Sequence, residues 1–263
     1  MVTWAARGPL SRLDELYQRH AGQECYLFGN GVSLKWMDLR RFADRPSIAG
    51  ALLLYHREAR FLNVPYCCFT EPLAFYPFVQ HPAGHFGLSR NRLHHGFARS
   101  MKAWPKTLFL LNVSNYPVVR DSNVLFISRW YVPPFANRNP FRDRQDAHAG
   151  TLSFQLSLAI YLGFRKAYLV GHDYTHSPAR IRHFYEKGEG ESAGYLEDNK
   201  DIIEYAKEDI DLVTVTLDGA SRLMDSITYA ELTGHAPAFR ENTDIVDRDY
   251  LENLATWPGY TIF

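Results

Sequence analysis

Residues 25–34 read CYLFGNGVSL, an apolar run that ends in Gly29-Asn30-Gly31 and continues to Ser33. A strand with this ending, followed by a helix, places free backbone N–H groups at the carboxyl edge of a parallel sheet, where ligands of open α/β proteins bind. Two interpretations fit the stretch. It is either an ordinary turn or a loop that holds a phosphate, with the Asn30 amide and the Ser33 hydroxyl as further donors.

Two common nucleotide-binding motifs are not found in the sequence. Leu34 stands where a dinucleotide fingerprint needs its third glycine, and Tyr55-His56 follows the second predicted strand in place of a carboxylate for a ribose diol. This counts against a nicotinamide or flavin dinucleotide. The chain also has no Gly-Lys-Ser/Thr, which excludes a P-loop nucleotide hydrolase.

Short apolar runs alternate with amphipathic segments along the whole chain. Because such alternation favours a mainly parallel sheet, the sequence predicts an α/β fold with helices on both faces of the sheet. Strands are predicted at about 24–29, 50–55, 64–70, 107–113, 122–127, 166–171 and 212–216. Helices are predicted at about 10–20, 35–43, 72–80, 90–103, 149–163 and 196–208. No linker divides the chain, so a single domain over 1–263 is expected, with a lid-like segment at about 174–195.

Composition narrows the class of protein. The 263 residues are 46% hydrophobic and 22% charged, which is typical of a globular protein, and the formal net charge of zero gives no argument for nucleic acid. The three cysteines indicate reduced thiols in a cytoplasmic protein. There is no secretion signal and no apolar run long enough to span a bilayer, so we expect a cytoplasmic protein, with peripheral contact at an inner membrane as an alternative.

Charge is distributed unevenly. Residues 72–120 contain no Asp or Glu but several Arg and Lys, and 90–106 is a basic amphipathic segment. It is either a solvated helix face or a contact for an anionic partner: a charged acceptor, a lipid headgroup or another subunit, including a second copy of this chain.

A second polar cluster follows the predicted strand at 166–171, where the chain reads GHDYTHSPARIRH (171–183). Asp173 is placed to orient a hydroxyl. His172, His176 and His183 lie close enough in sequence for one to be a general base, since imidazole titrates near neutrality. A metal site and ordinary surface histidines are the alternatives, but Pro178 argues against a helical metal pair.

Three segments in this order carry a family resemblance: LFGNGVSLKWMDLRRF (27–42), LFLLNVSNYPVV (108–119) and AGTLSFQLSLAIYLGFRKAYLVGHDY (149–174). Together they resemble the bacterial sialyltransferases of glycosyltransferase family 42. They also resemble a wider related group, which includes flagellin-modifying nonulosonate transferases and pterin pyrophosphokinase-like proteins.

The resemblance implies a Rossmann-like fold and an inverting transfer of an acidic sugar from a CMP-activated donor, without metal or other cofactor. The acceptor would be a glycan or glycolipid of a bacterial surface, such as lipopolysaccharide or capsule. By position, Asn30 would contact the donor phosphate or ribose, with Gly29, Gly31 and Ser33 shaping that loop. Thr151 would hold the nucleotide and Tyr174 the phosphate.

For the catalytic residues, the resemblance places Asp173 beside the sugar. His183 is the first candidate for the base and His176 the second. Two arginine pairs are candidates to neutralise the leaving group, either Arg180 and Arg182 or Arg142 and Arg144.

The chain also departs from the family pattern. Thr70-Glu71-Pro72 stands where the family has Asn-Pro-Ser, and an asparagine is missing after the second strand. These departures leave two other hypotheses open. One is a pterin-type pyrophosphokinase that uses ATP and magnesium, and the other is an inactive relative that binds nucleotide or glycan.

Overall fold

The computed structural model describes residues 12–69, 71–80, 88–90, 93–127, 150–194, 199–257 and 259–263. Its centre is a sheet of eight strands in which every neighbouring pair is parallel. These strands are β1 (Glu24–Phe28), β2 (Pro46–Gly50), β3 (Asn63–Phe69), β6 (Leu108–Asn112), β7 (Val124–Ile127), β8 (Lys166–Val170), β11 (Asp211–Thr216) and β12 (Asp225–Thr228).

Four short strands form two antiparallel pairs outside this sheet. They are β4 (Phe78–Gln80) with β5 (Leu88–Arg90), and β9 (Ala179–Ile181) with β10 (Glu191–Ala193). The α-helices of the described chain are α1 (Leu93–Ala103), α2 (Thr151–Tyr161), α3 (Lys200–Ala206), α4 (Tyr229–Thr233), α5 (Asn242–Ile245) and α6 (Arg248–Leu254). Short 3₁₀ helices occupy Arg12–Leu16, Val32–Trp36, Leu39–Phe42, Ala51–Tyr55, Arg57–Phe61, Val113–Asn115 and Asp173–Thr175.

The strand order is β12-β11-β8-β1-β2-β3-β6-β7. From β1 the chain builds outward through β2, β3, β6 and β7, and it then returns to the other side of β1 with β8, β11 and β12. The direction of winding therefore reverses between β1 and β8. In an open parallel sheet, the carboxyl end of the strands at such a reversal is where ligands bind.

Both faces of the sheet are covered, and the strand sequences show why. In β1, Tyr26 and Phe28 belong to one hydrophobic core, and Cys25 and Leu27 belong to a second. The first core includes residues of α1 and α6, and the second includes residues of α2 and α3. Because side chains alternate between the faces of a strand, a continuously apolar strand has both of its faces buried.

The predicted α/β class with a parallel sheet is confirmed. Six of the predicted strands are also confirmed, with each end within two residues of its predicted position. The strand predicted at 50–55 is wrong, because β2 lies at Pro46–Gly50 and the apolar run Ala51–Tyr55 is a 3₁₀ helix. An apolar run of that length has no periodicity to separate a buried strand from a buried helical turn. The strands at 225–228 and in the two small pairs were not predicted.

The predicted helices are confirmed in part. Those at 90–103, 149–163 and 196–208 correspond to α1, α2 and α3, each shorter than expected. The helix predicted at 72–80 is wrong, since this stretch is a turn followed by β4. In place of the helices predicted at 35–43 and 10–20, the described residues form short 3₁₀ helices, with a turn at 17–20. Among the described residues, no helix is both long and apolar enough to cross a membrane.

The basic segment 90–106 is described from residue 93 onward, apart from the backbone of Arg90. Arg99 forms a 3.3 Å ion pair with Asp249, and its guanidinium lies 4.3 Å from the ring centre of Tyr250, so it packs on α6. Lys102 and Lys106 are exposed. That the segment contacts an anionic partner, a membrane or a second copy stays a prediction.

Candidate active site

The loops that follow β1 and β8 meet at the point where the winding reverses. The Gly29 N–H donates to the Val170 carbonyl at 2.9 Å, and the Gly31 N–H donates to the Gly171 carbonyl at 2.8 Å. A Cβ atom on Gly29 would lie 2.3 Å from the Gly171 oxygen, and one on Gly31 would lie 2.5 Å from Cγ of Asp173. Both glycines are therefore required by the close approach of the two loops, whether or not a phosphate binds.

Hydrogen bonds between the buried residues Ser33 and Asp173 also connect these two loops. Ser33 donates to the Asp173 carboxylate twice, from its hydroxyl at 2.5 Å and from its backbone N–H at 2.8 Å. Both residues are buried, and neither lines the cavity described next. The segment Val32–Trp36 after the loop is a short 3₁₀ helix. The prediction that this loop leads directly into the N-terminus of an α-helix is therefore wrong.

A cavity of about 250 Å³ opens above the two loops, and we call it the first cavity. Its walls include Gly29–Gly31, Gly150 with the first residues of α2 as far as Ser153, and Tyr174 and His183 from the chain after β8. The N-cap residue of α2 is Gly150, which has no side chain to cap the helix. Within the described residues no side-chain cap is found for the first N–H groups of α2, which lie at the cavity wall and at the positive end of the helix dipole.

Two buried polar atoms of this cavity have no hydrogen-bond partner within the described part of the chain. They are Oδ1 of Asn30 and Nε2 of His172. Burial, and then the proximity of His176, lowers the pKa of His172 to about 3, so its imidazole is neutral at physiological pH. A buried polar atom without a partner is costly, so these two atoms beside the cavity mark a place where the hydrogen-bonding capacity of the described chain is not used.

His183 is oriented by a carboxylate that the sequence did not suggest. Its Nδ1 lies 2.8 Å from Oε1 of Glu186, which also accepts the His183 backbone N–H at 3.1 Å. An ionised carboxylate can only accept a hydrogen bond, so Nδ1–H donates to Glu186 and Nε2 keeps the lone pair that a base needs. The ring stacks on Tyr185 at 4.9 Å between centroids and meets Tyr260 edge-on at 5.6 Å.

Glu186 itself is almost fully buried and is held from several directions. Its second oxygen accepts the backbone N–H of Thr261 at 3.1 Å. Burial acts to raise the pKa of Glu186, but the hydrogen bonds from His183 and Thr261 outweigh it and hold that pKa below its usual value. Glu186 is therefore ionised at neutral pH and fixes the imidazole from one side.

The segment predicted as a lid, 174–195, is described as far as residue 194. It contains the β9–β10 pair, and the turn between these strands carries His183 and Glu186. Two backbone contacts attach it to the β1 loop. Gly31 and His183 form an isolated antiparallel bridge, and the Phe184 N–H donates to the Asn30 carbonyl at 3.1 Å.

The remaining predicted residues lie in different places. Thr151 and Tyr174 line the first cavity, and burial, as the largest cause, raises the pKa of Tyr174, which is therefore protonated. His176 is buried beside Thr214, with Nε2 3.0 Å from that hydroxyl, and is not in the cavity wall. Arg182 lies 3.0 Å from Glu191 and also 3.4 Å from the carboxylate of Glu186, the residue that contacts His183.

The role of the other candidate arginines stays a prediction. Arg180 lies 3.8 Å from Asp218, and Arg142 and Arg144 fall outside the described residues. Within the described residues, no group of three His, Cys, Asp or Glu side chains is placed to hold a metal ion.

A second cavity, of about 540 Å³, adjoins the first, because Asn30 and Thr151 line both. It lies on the β2 and β3 side of the β1 loop, between Leu52, the turn after β3, α1 and the segment that follows α6. Most of its walls are apolar, and they include the aromatic rings of Phe97, Trp257 and Tyr260.

The buried histidines predict a loss of stability in acid. Burial lowers the pKa of both His56 and His172 to about 3, whereas an unfolded chain binds these protons near pH 6.5. The unfolded state therefore takes up more protons as pH falls below about 6.5, and the free energy of unfolding decreases by up to ~1.4 kcal/mol per pH unit for each histidine. Urea unfolding at several pH values between 7.5 and 5 measures this slope.

The matched variants for that experiment are His56→Gln and His95→Gln. His56→Gln is expected to flatten the dependence on pH. His95 is exposed, so its substitution is expected to leave the slope of the wild type unchanged. An equal slope in wild type and His56→Gln would contradict the assignment of His56 as a buried neutral group.

No protein-family model and no curated protein matches this sequence. Among solved structures, a variant of the sialyltransferase CST-II in complex with CMP is similar, with 11% identity, a TM-score of 0.49, and coverage of 91% of this chain and 99% of that chain. The MAf glycosyltransferase from Magnetospirillum magneticum AMB-1 has 11% identity and a TM-score of 0.45, with 94% of this chain and 40% of that chain covered.

CstII from Campylobacter jejuni in complex with CMP-3FNeuAc, a substrate analogue, has 11% identity and a TM-score of 0.43, with 89% of this chain and 100% of that chain covered. The present chain is an α/β protein with a cavity at the reversal point of a parallel sheet. His183 lines this cavity and is hydrogen-bonded to the buried Glu186.

Proposed function

We propose that this protein is a glycosyltransferase that takes an acidic sugar from a CMP-activated donor and transfers it to a hydroxyl group of a glycan or glycolipid. The observation that carries the proposal is His183, held by Glu186 through Nδ1, in the wall of the cavity that α2 faces with its N-terminus. A base and an anion site in one cleft are what transfer from a sugar phosphate needs.

The phosphate of the donor would bind at the start of α2. The N–H groups of Thr151 and its neighbours and the hydroxyl of Tyr174 can donate to it. Such donors also stabilise the negative charge that collects on the phosphate when the bond to the sugar breaks. A metal ion is not required for this role.

The nucleoside would bind beside Asn30, whose buried Oδ1 has no partner in the described structure. Ribose hydroxyls and the amino group of cytosine are hydrogen-bond donors, and Oδ1 of Asn30 is an acceptor. Cytidine, rather than another nucleoside, is proposed because of the motif resemblance in segments 27–42, 108–119 and 149–174.

The reaction would be a direct displacement. The acceptor oxygen forms a bond to the anomeric carbon, and the bond from that carbon to the phosphate oxygen breaks, with its electron pair leaving on CMP. The acceptor proton passes to Nε2 of His183, and the resulting imidazolium is stabilised by the Glu186 carboxylate 2.8 Å from Nδ1. Attack opposite the leaving group inverts the anomeric centre.

The first test is a thermal-shift screen with CMP, CDP, UDP, GDP, ADP and ATP, each with and without magnesium. CMP without metal, at about 100 times its dissociation constant, is expected to raise the melting temperature by about 5–10 °C, since a ligand that binds only the folded state stabilises it by about 2.7 kcal/mol at that excess. Asn30→Ala should lose most of this shift because it removes the buried acceptor.

The control is Asn63→Ala, at an exposed position at the start of β3, which should keep the full shift. A shift with magnesium–ATP alone would overturn the proposal in favour of phosphoryl transfer. No shift with any nucleotide would overturn it as well, and would leave the β1 loop as an ordinary turn in a binding or structural relative.

A further inference from the structure

The second cavity has a defined position relative to the proposed base. Tyr260 lines this cavity, and its ring packs edge-on against His183, which lines the first cavity. Asn30 and Thr151 form the boundary between the two spaces. His183 therefore stands close to the junction, with the nucleotide-binding surface on one side and the second cavity on the other.

The location of the second cavity beside His183 indicates which of the two substrates it would bind. In a direct displacement, the acceptor hydroxyl must reach the base within hydrogen-bond distance while the donor occupies its own site. If the nucleotide lies against α2 in the first cavity, the adjoining space beside His183 is where the acceptor can approach. This step rests on the function proposed above.

The walls of the cavity then define the chemistry of the acceptor. Phe97, Trp257 and Tyr260 offer aromatic faces, and Leu52 and Leu93 add aliphatic surface. Among the described residues that line it, Glu71 is the one charged side chain. Such walls favour a ligand with a substantial apolar face and disfavour an anion, which the Glu71 carboxylate would repel.

The turn that carries Glu71 is fixed by the chain after β6. The Leu73 N–H donates to the Ser114 hydroxyl at 2.9 Å, and the Phe75 N–H donates to Oδ1 of Asn115 at 3.0 Å. Asn115 is fully buried, so the hydrogen bond that holds this turn in place is shielded from water. The cavity is therefore formed before any ligand arrives, as binding sites for small molecules usually are.

We propose that the second cavity is the acceptor site, and that it selects an uncharged saccharide with an apolar face or an apolar aglycone, while Glu71 excludes anionic acceptors. The aromatic rings pack against the apolar part, and the acceptor hydroxyl is directed toward His183. The specificity for the acceptor thus resides in the turn after β3, α1 and the segment after α6.

The experiment is calorimetric titration of the protein, saturated with CMP, with three glycosides. The probes are 4-nitrophenyl β-D-galactoside, methyl β-D-galactoside and 4-nitrophenyl β-D-glucuronide. The uncharged aryl glycoside is expected to bind at least about tenfold more tightly than the methyl glycoside, a factor equivalent to ~1.4 kcal/mol. It should also bind about fivefold more tightly than the anionic glucuronide.

Two variants assign these differences to the cavity. Trp257→Ala should remove most of the advantage of the aryl group, and Glu71→Gln should restore glucuronide binding without weakening the galactoside. Binding of CMP should be unchanged in both variants, which also shows that they are folded. Preferred binding of the glucuronide, no binding of any probe, or equal binding in wild type and Trp257→Ala would each overturn the proposal.

The two proposals fail in distinguishable ways. If CMP does not bind in the thermal-shift screen, the proposed function fails before any glycoside is tested. If CMP binds as expected and the glycosides show none of the expected preferences, the acceptor assignment alone fails.

Discussion

Replacing His183 with alanine is expected to lower the rate of sugar transfer by about 10²–10⁴-fold, the range usually lost with a general base. The expected reason is that the variant has no group within reach of the acceptor proton once the Nε2 atom is gone. The affinity for CMP should change by less than about twofold, because the proposed donors to the phosphate belong to α2 and Tyr174. Release of CMP from a CMP-activated sugar, followed by chromatography, measures the rate.

Glu186→Gln tests the orientation of His183 separately. We expect a smaller loss of transfer rate, about 10–100-fold, since Glu186 acts through His183 and contacts no substrate. Nitrogen-15 NMR of the His183 ring should show the Nδ1–H tautomer in the wild type and a mixture in the variant, a difference that a general loss of stability does not produce. Glu189→Gln, at an exposed position of the same turn, is the matched control and should match the wild type in both measurements.

Full activity of His183→Ala would contradict the assignment of His183 as the general base.

Gly31→Ala is expected to cause the largest loss of stability. The added Cβ would lie 2.5 Å from Cγ of Asp173 and 2.6 Å from the Gly171 oxygen. Neither atom can move away easily, since the Asp173 carboxylate is buried and held by Ser33 at both oxygens. We expect the free energy of unfolding to fall by about 3 kcal/mol, at the upper end of what overpacking usually costs. Urea unfolding with and without CMP gives this value.

The matched control for Gly31→Ala is Gly194→Ala. A Cβ on Gly194 would meet no atom of the described chain within 4 Å, and its substitution should change the free energy of unfolding by less than about 0.5 kcal/mol. If Gly31→Ala were as stable as Gly194→Ala, the loops after β1 and β8 could not approach each other as closely as described here.

Local patterns in the sequence were sufficient to predict most of the sheet. In strands such as β1 and β8, a run of apolar residues is followed directly by glycine. This pattern is clear without knowledge of the neighbouring strands. The same rule misplaced β2. Pro46 and Gly50 made the true strand inconspicuous, while the more apolar run Ala51–Tyr55 became a 3₁₀ helix because it packs into a core. That choice depends on tertiary contacts, which a single sequence does not contain.

The candidate site was predictable to a similar extent. Asn30, Thr151, Tyr174 and His183 were chosen from the sequence, and the structure brings them to one cavity. Whether they act as proposed stays a prediction. Glu186 follows His183 by three residues, so a His-x-x-Glu pattern in a turn was the signal that could have identified it.

Contacts between distant parts of the chain were not predictable in this way. Tyr260 and Thr261 reach His183 and Glu186 from about 75 residues away, and Ser33 finds Asp173 across 140 residues. No local pattern encodes these pairs, because they depend on how the elements pack.

The backbone contacts between the β1 loop and the turn that carries His183 have a consequence for how such a protein could diversify. Because Phe184 donates to Asn30 and Gly31 pairs with His183, the main chain sets the separation between the proposed base and the β1 loop. Substitutions around Glu71 and Trp257 can then alter which acceptor is taken without disturbing that separation. Selection on partner choice and selection on chemistry would act on different residues, so new acceptors could be acquired while the reaction centre is inherited unchanged.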